Sequence, residues 1–191
     1  MSKIGLFFGS FNPIHIGHLI IANYMANHTD LSEVWLVVSP HNPLKKKDNL
    51  ANMYDRLEMV NLALADAENI KSSDFEFRLK QPSYTIDTLT HLKERYPQKE
   101  FVLIMGSDNL VSLKKWKNYE IILRDYQIYV YPRPDYYDEE MAKHSSITIT
   151  TTPLMEFSST FIRKSVAANK NIKYFLPDAV IDFIDKKGLY R

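Results

Sequence analysis

The 191-residue sequence predicts an α/β fold, a parallel sheet flanked by crossover helices, on three observations. Short β-branched or aromatic runs alternate with longer segments of helical periodicity, the pattern that strands joined by crossover helices leave in a sequence. The segment GSFNPIHIGH (Gly9–His18) follows directly on the first apolar run, where a strand should hand over to a helix. Finally, most clusters with evident chemistry fall just after an expected strand, at the carboxyl edge where ligands bind in such sheets.

The first strand is expected over Lys3–Phe8 (KIGLFF) and the first helix over Ile16–Asn27, with the glycine-containing segment between them. The run Glu33–Ser39 (EVWLVVS) reads as the second strand, followed by the cluster SPHNPLKKK (Ser39–Lys47) and a helix over Asn52–Ala67. A short third strand, Ile70–Ser73, precedes a turn at Pro82–Ser83 and a helix over Thr85–Arg95, with Thr85 near its N-cap. Phe101–Met105 is the fourth strand, followed by GSD (Gly106–Asp108) and short helices at Leu110–Leu113 and Glu120–Leu123. Gln127–Tyr131 and Ile147–Thr150 are the last strands; between them Pro132–Ser146, rich in proline and acids, reads as a mobile surface excursion. Helices over Ser159–Ala168 and Ala179–Lys186 complete the chain.

Composition bounds the function. An apolar content of 45% and a charged content of 25% describe one globular domain, residues 1–191, with a sizeable core. The formal charge of +1 leaves no global field to attract nucleic acid or a membrane surface, so any anion site must be local. Zero cysteines exclude disulfides, thiolate catalysis and cysteine–zinc sites and are compatible with a reducing compartment, for which the cytoplasm is the default. The N-terminus enters a strand-like run without a leader pattern, and no apolar stretch approaches membrane-spanning length. A homo-oligomer is compatible with this composition, which does not decide the matter.

The segment Gly9–His18 has the outline of a phosphate site. Amides at a helix start have no intrahelical acceptors, and the aligned peptide dipoles make that end partly positive. His15 and His18 stand three positions apart, and Gly17 between them removes side-chain bulk. If the helix begins near Ile16, both rings can reach one polyphosphate. The competing reading is a pair of hydrogen-bonded structural histidines.

A second signal is SSTFIR (Ser158–Arg163), with hydroxyls where a helix should start and Arg163 one turn later. Either Ser159 is an ordinary cap and Arg163 a solvated side chain, or this helix start is a second anion clamp with a guanidinium fork.

The pair HIGH (His15–His18) and SSTFIR resembles the signature of the nucleotidylyltransferase superfamily, at both ends of the chain. PSYTIDTL (Pro82–Leu89) narrows the likeness to the bacterial nicotinate-nucleotide adenylyltransferases, which make deamido-NAD and pyrophosphate from ATP and nicotinate mononucleotide in NAD biosynthesis. The resemblance implies a Rossmann-like parallel sheet with a small C-terminal helical extension, and direct attack of the mononucleotide phosphate on the α-phosphorus of ATP. It implies catalytic roles for His15, His18 and Arg163, and ATP binding by these with Gly9, Ser10, Phe11, Gly106, Asp108, Ser158, Ser159 and Thr160. It implies mononucleotide binding by Asn42, Lys45, Tyr84, Thr85, Trp116, Lys117 and Arg133. Trp116 would stack on the pyridine ring, whose carboxylate would meet backbone amides at Thr85 and Lys117. Mg2+, held mainly by the ATP phosphates, is the implied cofactor, with no dedicated protein metal site.

Read on their own residues, Asp108 is also a candidate helix cap, Trp116 a core side chain, and Lys45–Lys47 with Arg56 a solvated basic cluster. Three departures from the family pattern matter. Phe8–Gly9 replaces a double glycine, Asn12 replaces an acid that could order the loop, and Lys117 replaces an aromatic, which predicts a more positive carboxylate pocket. The alternatives are another nucleotidylyltransferase, such as the pantetheine-phosphate enzyme, and a non-catalytic nucleotide-binding sensor. A class I aminoacyl-tRNA synthetase shares HIGH, but this chain is short and has no KMSKS-like loop.

Overall fold

The computed structural model describes residues 2–41, 50–154 and 156–191. Its strands are β1 (Ser2–Gly9), β2 (Glu33–Val38), β3 (Ile70–Ser73), β4 (Lys99–Gly106), β5 (Gln127–Tyr131) and β6 (Ile147–Ile149). They form one sheet in the order β3-β2-β1-β4-β5-β6, and every pairing is parallel. The chain therefore turns from one half of the sheet to the other between β1 and β4, and a crevice opens beyond their carboxyl ends at such a reversal.

Strand residues alternate between two cores with the period of two that a pleat imposes. Phe7, Val102 and Ile104 face one side, where they meet α1 (Ile16–His28), α2 (Met53–Ala63), α7 (Ser159–Ala167) and α8 (Asp178–Lys187). Ile4, Leu6, Phe101, Leu103 and Met105 face the other, against α3 (Thr85–Arg95), α4 (Ser107–Ser112), α5 (Tyr119–Asp125) and α6 (Glu139–Ala142). Both faces of the central strands are covered, which is why they read as continuous apolar runs. The C-terminal helix α8 packs beside α2, buries Val180 and Ile184, and stops at Gly188, whose φ of 62° is the left-handed turn that suits glycine.

The expected α/β sheet is present, and β3, β5 and α3 have their expected bounds. Several other element ends shift by one or two residues, and the main differences are these. Helix α2 ends at Ala63, because the chain leaves helical geometry at Leu64 and turns toward β3. Helix α4 starts at Ser107, directly on the end of β4 and ahead of the expected Leu110, where Gly106 serves as its N-cap. A 3₁₀ turn at Phe75–Arg78, which propensity did not signal, leads toward α3. The segment Pro132–Ser146 is not a free excursion: Asp138 caps α6 by accepting from Met141 N at 3.0 Å, and Met141 is buried in the second core.

Candidate active site

His15 is the N-cap of α1, and its ring Nδ1 accepts the His18 backbone N–H at 3.3 Å. His18 Nδ1 accepts the His15 backbone N–H in return, also at 3.3 Å. Two histidines thus form the reciprocal capping box usually made by a hydroxyl and a glutamate. An accepting Nδ1 bears no proton, so these bonds assign the ring proton of each neutral imidazole to Nε2, where it is a donor. The rings stack with centroids 3.6 Å apart. His15 is only 4% exposed, and burial, assisted by the positive charge of Arg133, holds its pKa down to about 4.

Gly17 has the role the sequence suggested, since a Cβ there would lie 3.1 Å from His15 Nδ1. Gly9, which lines the cleft, also makes room within the protein. A Cβ at Gly9 would meet the Phe11 ring at 2.8 Å, and that ring packs edge-on under His18 at 5.1 Å. Phe11 is therefore the buried support of a histidine.

The second helix start is capped by Ser158, whose Oγ accepts from Phe161 N at 3.3 Å, one residue earlier than expected. That frees Ser159, whose hydroxyl donates to the Pro13 carbonyl at 2.9 Å. Arg163 is not a solvated side chain either, because its Nη1 donates to the Asn12 carbonyl at 2.8 Å and Nη2 to Thr160 Oγ1 at 3.2 Å. The start of α7 is thereby fastened to the loop leading into α1. Both starts open on one cleft of 380 Å³, which Ser10, Asp108 and Arg133 also line.

A second cavity, of 180 Å³, adjoins the first through Gly9, Ser10, His41 and Asn109. Ser83, Tyr84, Thr85, Trp116 and Lys117 line it, so the expected ring-binding residues do come together. Tyr84, the N-cap of α3, supplies no side-chain cap, which leaves first-turn amides open to a ligand. The expected extra positive charge at Lys117 is offset, because its Nζ binds the Asp87 carboxylate at 2.9 and 3.0 Å and lies 4.8 Å over the Tyr84 ring.

Asp108 is not a helix cap. One carboxylate oxygen faces Arg133 at 3.5 Å, the other is buried without a partner among the described residues, and a Cβ at Gly106 would displace that oxygen from its present place. Among the described residues the buried side-chain polar atoms lacking a hydrogen bond are Ser83 Oγ, Asp108 Oδ1 and Trp116 Nε1, and all three residues line these two cavities. Among the same residues no group of three or more His, Asp or Glu could hold a metal ion.

Some expectations fall elsewhere. Asn42 and Lys45, with Lys46 and Lys47, lie outside the described residues. Arg56 does not belong to an exposed basic cluster: it is fully buried and donates to the carbonyls of Ser10, Ser39, Pro40 and Ala51 at 2.6 to 3.0 Å. The amide at Asn12 does not leave the loop unordered, since its Oδ1 accepts from Ala51 N at 3.1 Å and from the Tyr190 hydroxyl at 2.8 Å. Sequence reasoning missed Tyr190 and Glu76 altogether. The only trace of Glu76 is an acid set between two phenylalanines, Phe75 and Phe77.

Comparison with known proteins agrees with this architecture. A family model described as cytidylyltransferase-like matches residues 6–165. The chain is 56% identical over 191 residues to a probable nicotinate-nucleotide adenylyltransferase of Flavobacterium psychrophilum, covering 99% of each chain. It is 50% identical over 188 residues to the similarly named protein of Cytophaga hutchinsonii, covering 98% of each. In fold it resembles the solved Plasmodium falciparum nicotinic acid mononucleotide adenylyltransferase complexed with NaAD, at a TM-score of 0.86 and 23% identity over 100% of this chain and 98% of that one.

Proposed function

The chain belongs to the cytidylyltransferase-like family, among its nicotinate-nucleotide adenylyltransferases, and from that premise we propose how its cleft joins ATP to nicotinate mononucleotide. The products are deamido-NAD and pyrophosphate, a step of NAD biosynthesis. The observation that carries the proposal is the single cleft shared by the α1 and α7 starts and continuous with the ring pocket.

The triphosphate lies across the two helix starts. His15 and His18 offer Nε2–H donors, Ser158 and Thr160 their hydroxyls, the α7 start at Ser159 and Thr160 its backbone amides, and Arg163 its guanidinium. Ser10 and the backbone of Gly9 and Phe11 line the same loop, and Gly106 makes room for Asp108, whose unpaired oxygen suits a ribose hydroxyl. The pyridine ring occupies the second cavity against Trp116, its carboxylate meeting amides at Thr85 and Lys117, with Tyr84 closing the wall. A free helix start favours an acid over a neutral amide there. Arg133, within the phosphate cleft, suits the mononucleotide phosphate at the junction; Asn42 and Lys45 are proposed for that substrate on the sequence resemblance alone.

The nucleophile needs no protein base, because a phosphate monoester with a second pKa of about 6 is mostly dianionic at neutral pH. One of its oxygens bonds to the α-phosphorus as the bond from that phosphorus to the bridging oxygen breaks, and the electron pair leaves with pyrophosphate. The protein aligns two anions and neutralises charge on the departing group. The donor set fits a magnesium ion carried by the phosphates: among the described residues the cleft offers nitrogen donors and one unpaired carboxylate oxygen, on Asp108, in place of a carboxylate cage. Bound there, magnesium would neutralise phosphate charge.

Two hydrophobic cores sharing one sheet support reading residues 1–191 as a single domain. No helix among the described residues is long and apolar enough to cross a membrane, and the cysteine-free composition supports a cytoplasmic enzyme. A side-by-side substrate panel tests the function. Pyrophosphate release from MgATP should require nicotinate mononucleotide; higher catalytic efficiency with nicotinamide mononucleotide or phosphopantetheine would overturn the specificity, and no turnover with any of them would point to a sensor.

A further inference from the structure

Two ionisable side chains that the reaction does not use are buried beside the cleft. Arg56, in the first turn of α2, is 0% exposed, and Glu76, in the 3₁₀ turn, is 3% exposed. Among the described residues the hydrogen-bond partners of Arg56 are carbonyls: Nη1 donates to Ser10 at 2.6 Å and Ser39 at 2.8 Å, Nη2 to Pro40 at 2.9 Å, and Nε to Ala51 at 3.0 Å. Burial lowers its pKa to about 10, so the group stays cationic at neutral pH. Glu76 accepts the Thr88 hydroxyl at 2.8 Å, and the Ser39 and Ser83 hydroxyls lie beside its carboxylate, each holding down a pKa that burial raises.

These contacts line up in one largely buried row. It runs from the Ser10 carbonyl, in the loop after β1, through Arg56 to the Ser39 carbonyl, and from the Ser39 hydroxyl, beside the Glu76 carboxylate, to Thr88 in the first turn of α3. One end of the row borders the phosphate cleft and the other the ring pocket, which Glu76 and Ser39 themselves line. Burying a cation and an acid is expensive, and apolar replacements of equal size often stabilise a fold better, so stability alone is a poor reason for this pair. Holding two subsites at a fixed separation is a better one, because in-line transfer is sensitive to small misplacements.

We infer that Arg56 and Glu76 are positioning residues: through Ser39 they fix the triphosphate cleft relative to the ring pocket, so that the two bound substrates meet in line. Neither touches the reacting atoms. The inference rests on the proposed reaction. It requires that breaking the row leave each substrate's separate binding nearly intact while turnover falls. It also requires that the shape and hydrogen bonding of residue 76 matter more than its charge.

The test uses the purified full-length protein with Arg56→Lys, Glu76→Ala, Glu76→Gln and the double variant Arg56→Lys/Glu76→Ala, with wild type alongside. Calorimetry gives the separate affinities for nicotinate mononucleotide and a non-hydrolysable ATP analogue, and circular dichroism gives the folded fraction used to normalise rates. Expected are affinities within about threefold of wild type and kcat reduced more than tenfold in Arg56→Lys and Glu76→Ala. Glu76→Gln should recover most of that loss, and the double variant should be no worse than the weaker single, as for groups acting in one network. Wild-type kcat per folded molecule in Glu76→Ala, affinities that fall in step with kcat, or multiplicative losses in the double variant would each overturn the inference. Failure of the wild type itself to turn over nicotinate mononucleotide would overturn the proposed function instead. If Arg56→Lys does not fold, the two Glu76 variants still decide.

Discussion

The phosphate end of the cleft and the ring end are built differently. At the phosphate end the protein already holds its donors: the two histidines cap one another's backbone, Ser159 and Arg163 grip the opposing loop, and the rings stack. At the ring end Ser83 Oγ and Trp116 Nε1 are buried without partners, and the α3 start lacks a side-chain cap. The first arrangement is preorganised for charge that develops during reaction. The second leaves polar atoms for a ligand to satisfy, the condition under which a site rejects an analogue that cannot pair with them. Changes at the phosphate end should therefore appear in kcat, and changes at the ring end in KM and in the choice of substrate.

The largest effect is expected from removing donors at the phosphate end. His18→Ala and Arg163→Ala should each lower kcat by about 100-fold, the scale for losing one preorganised charge-stabilising donor, with the far-ultraviolet dichroism unchanged. Pyrophosphate release measures it, and near-normal kcat in either variant would break the comparison.

Next in size is the ring end. Trp116→Ala should raise KM for nicotinate mononucleotide by roughly tenfold through loss of its stacking face, with KM for ATP unchanged. Steady-state kinetics with each substrate varied in turn will separate the two, and an equal rise in both constants would contradict independent subsites.

The third contrast is one of pH. With its folded pKa held to about 4 against an ordinary 6.5, His15 binds fewer protons folded than unfolded between those values. Its contribution to stability is full above pH 6.5 and is lost as pH falls toward 4, amounting to about 3 kcal/mol at 1.36 kcal/mol per pKa unit. Urea midpoints should fall across that window, and fall less in His15→Asn, which can still cap the helix. A pH-independent midpoint in the wild type would show that His15 is not held neutral.

The smallest effect belongs to Lys117, half exposed and paired with Asp87. Lys117→Ala should change KM for nicotinate mononucleotide by less than about threefold, as for most exposed ion pairs. A larger rise would assign the lysine side chain to the ligand's carboxylate.

The sheet was legible because its central strands are buried on both faces and read as unbroken apolar runs, and the helix starts because glycine, histidine and serine mark them locally. What escaped depends on partners distant in the chain. Whether Ser158 or Ser159 caps α7 turns on a hydrogen bond from Ser159 to Pro13, 146 positions away. Arg56, grouped with Lys45–Lys47 after the second strand, reads as part of a solvated basic cluster, and nothing local shows that four carbonyls accept from it. Asn12 looked like the loss of an ordering acid, whereas its amide oxygen takes two hydrogen bonds from residues brought in by the fold.

The bond from the Tyr190 hydroxyl to Asn12 spans 178 positions. During synthesis the loop at Asn12 and its early donor, Ala51 N, emerge from the ribosome long before residue 190 does, so a nascent chain carries its nucleotide motif with the second of these two bonds still to be made. The last of the loop's fastenings therefore waits for the segment after α8 to dock, so the order in which the nucleotide motif is made is not the order in which it is secured.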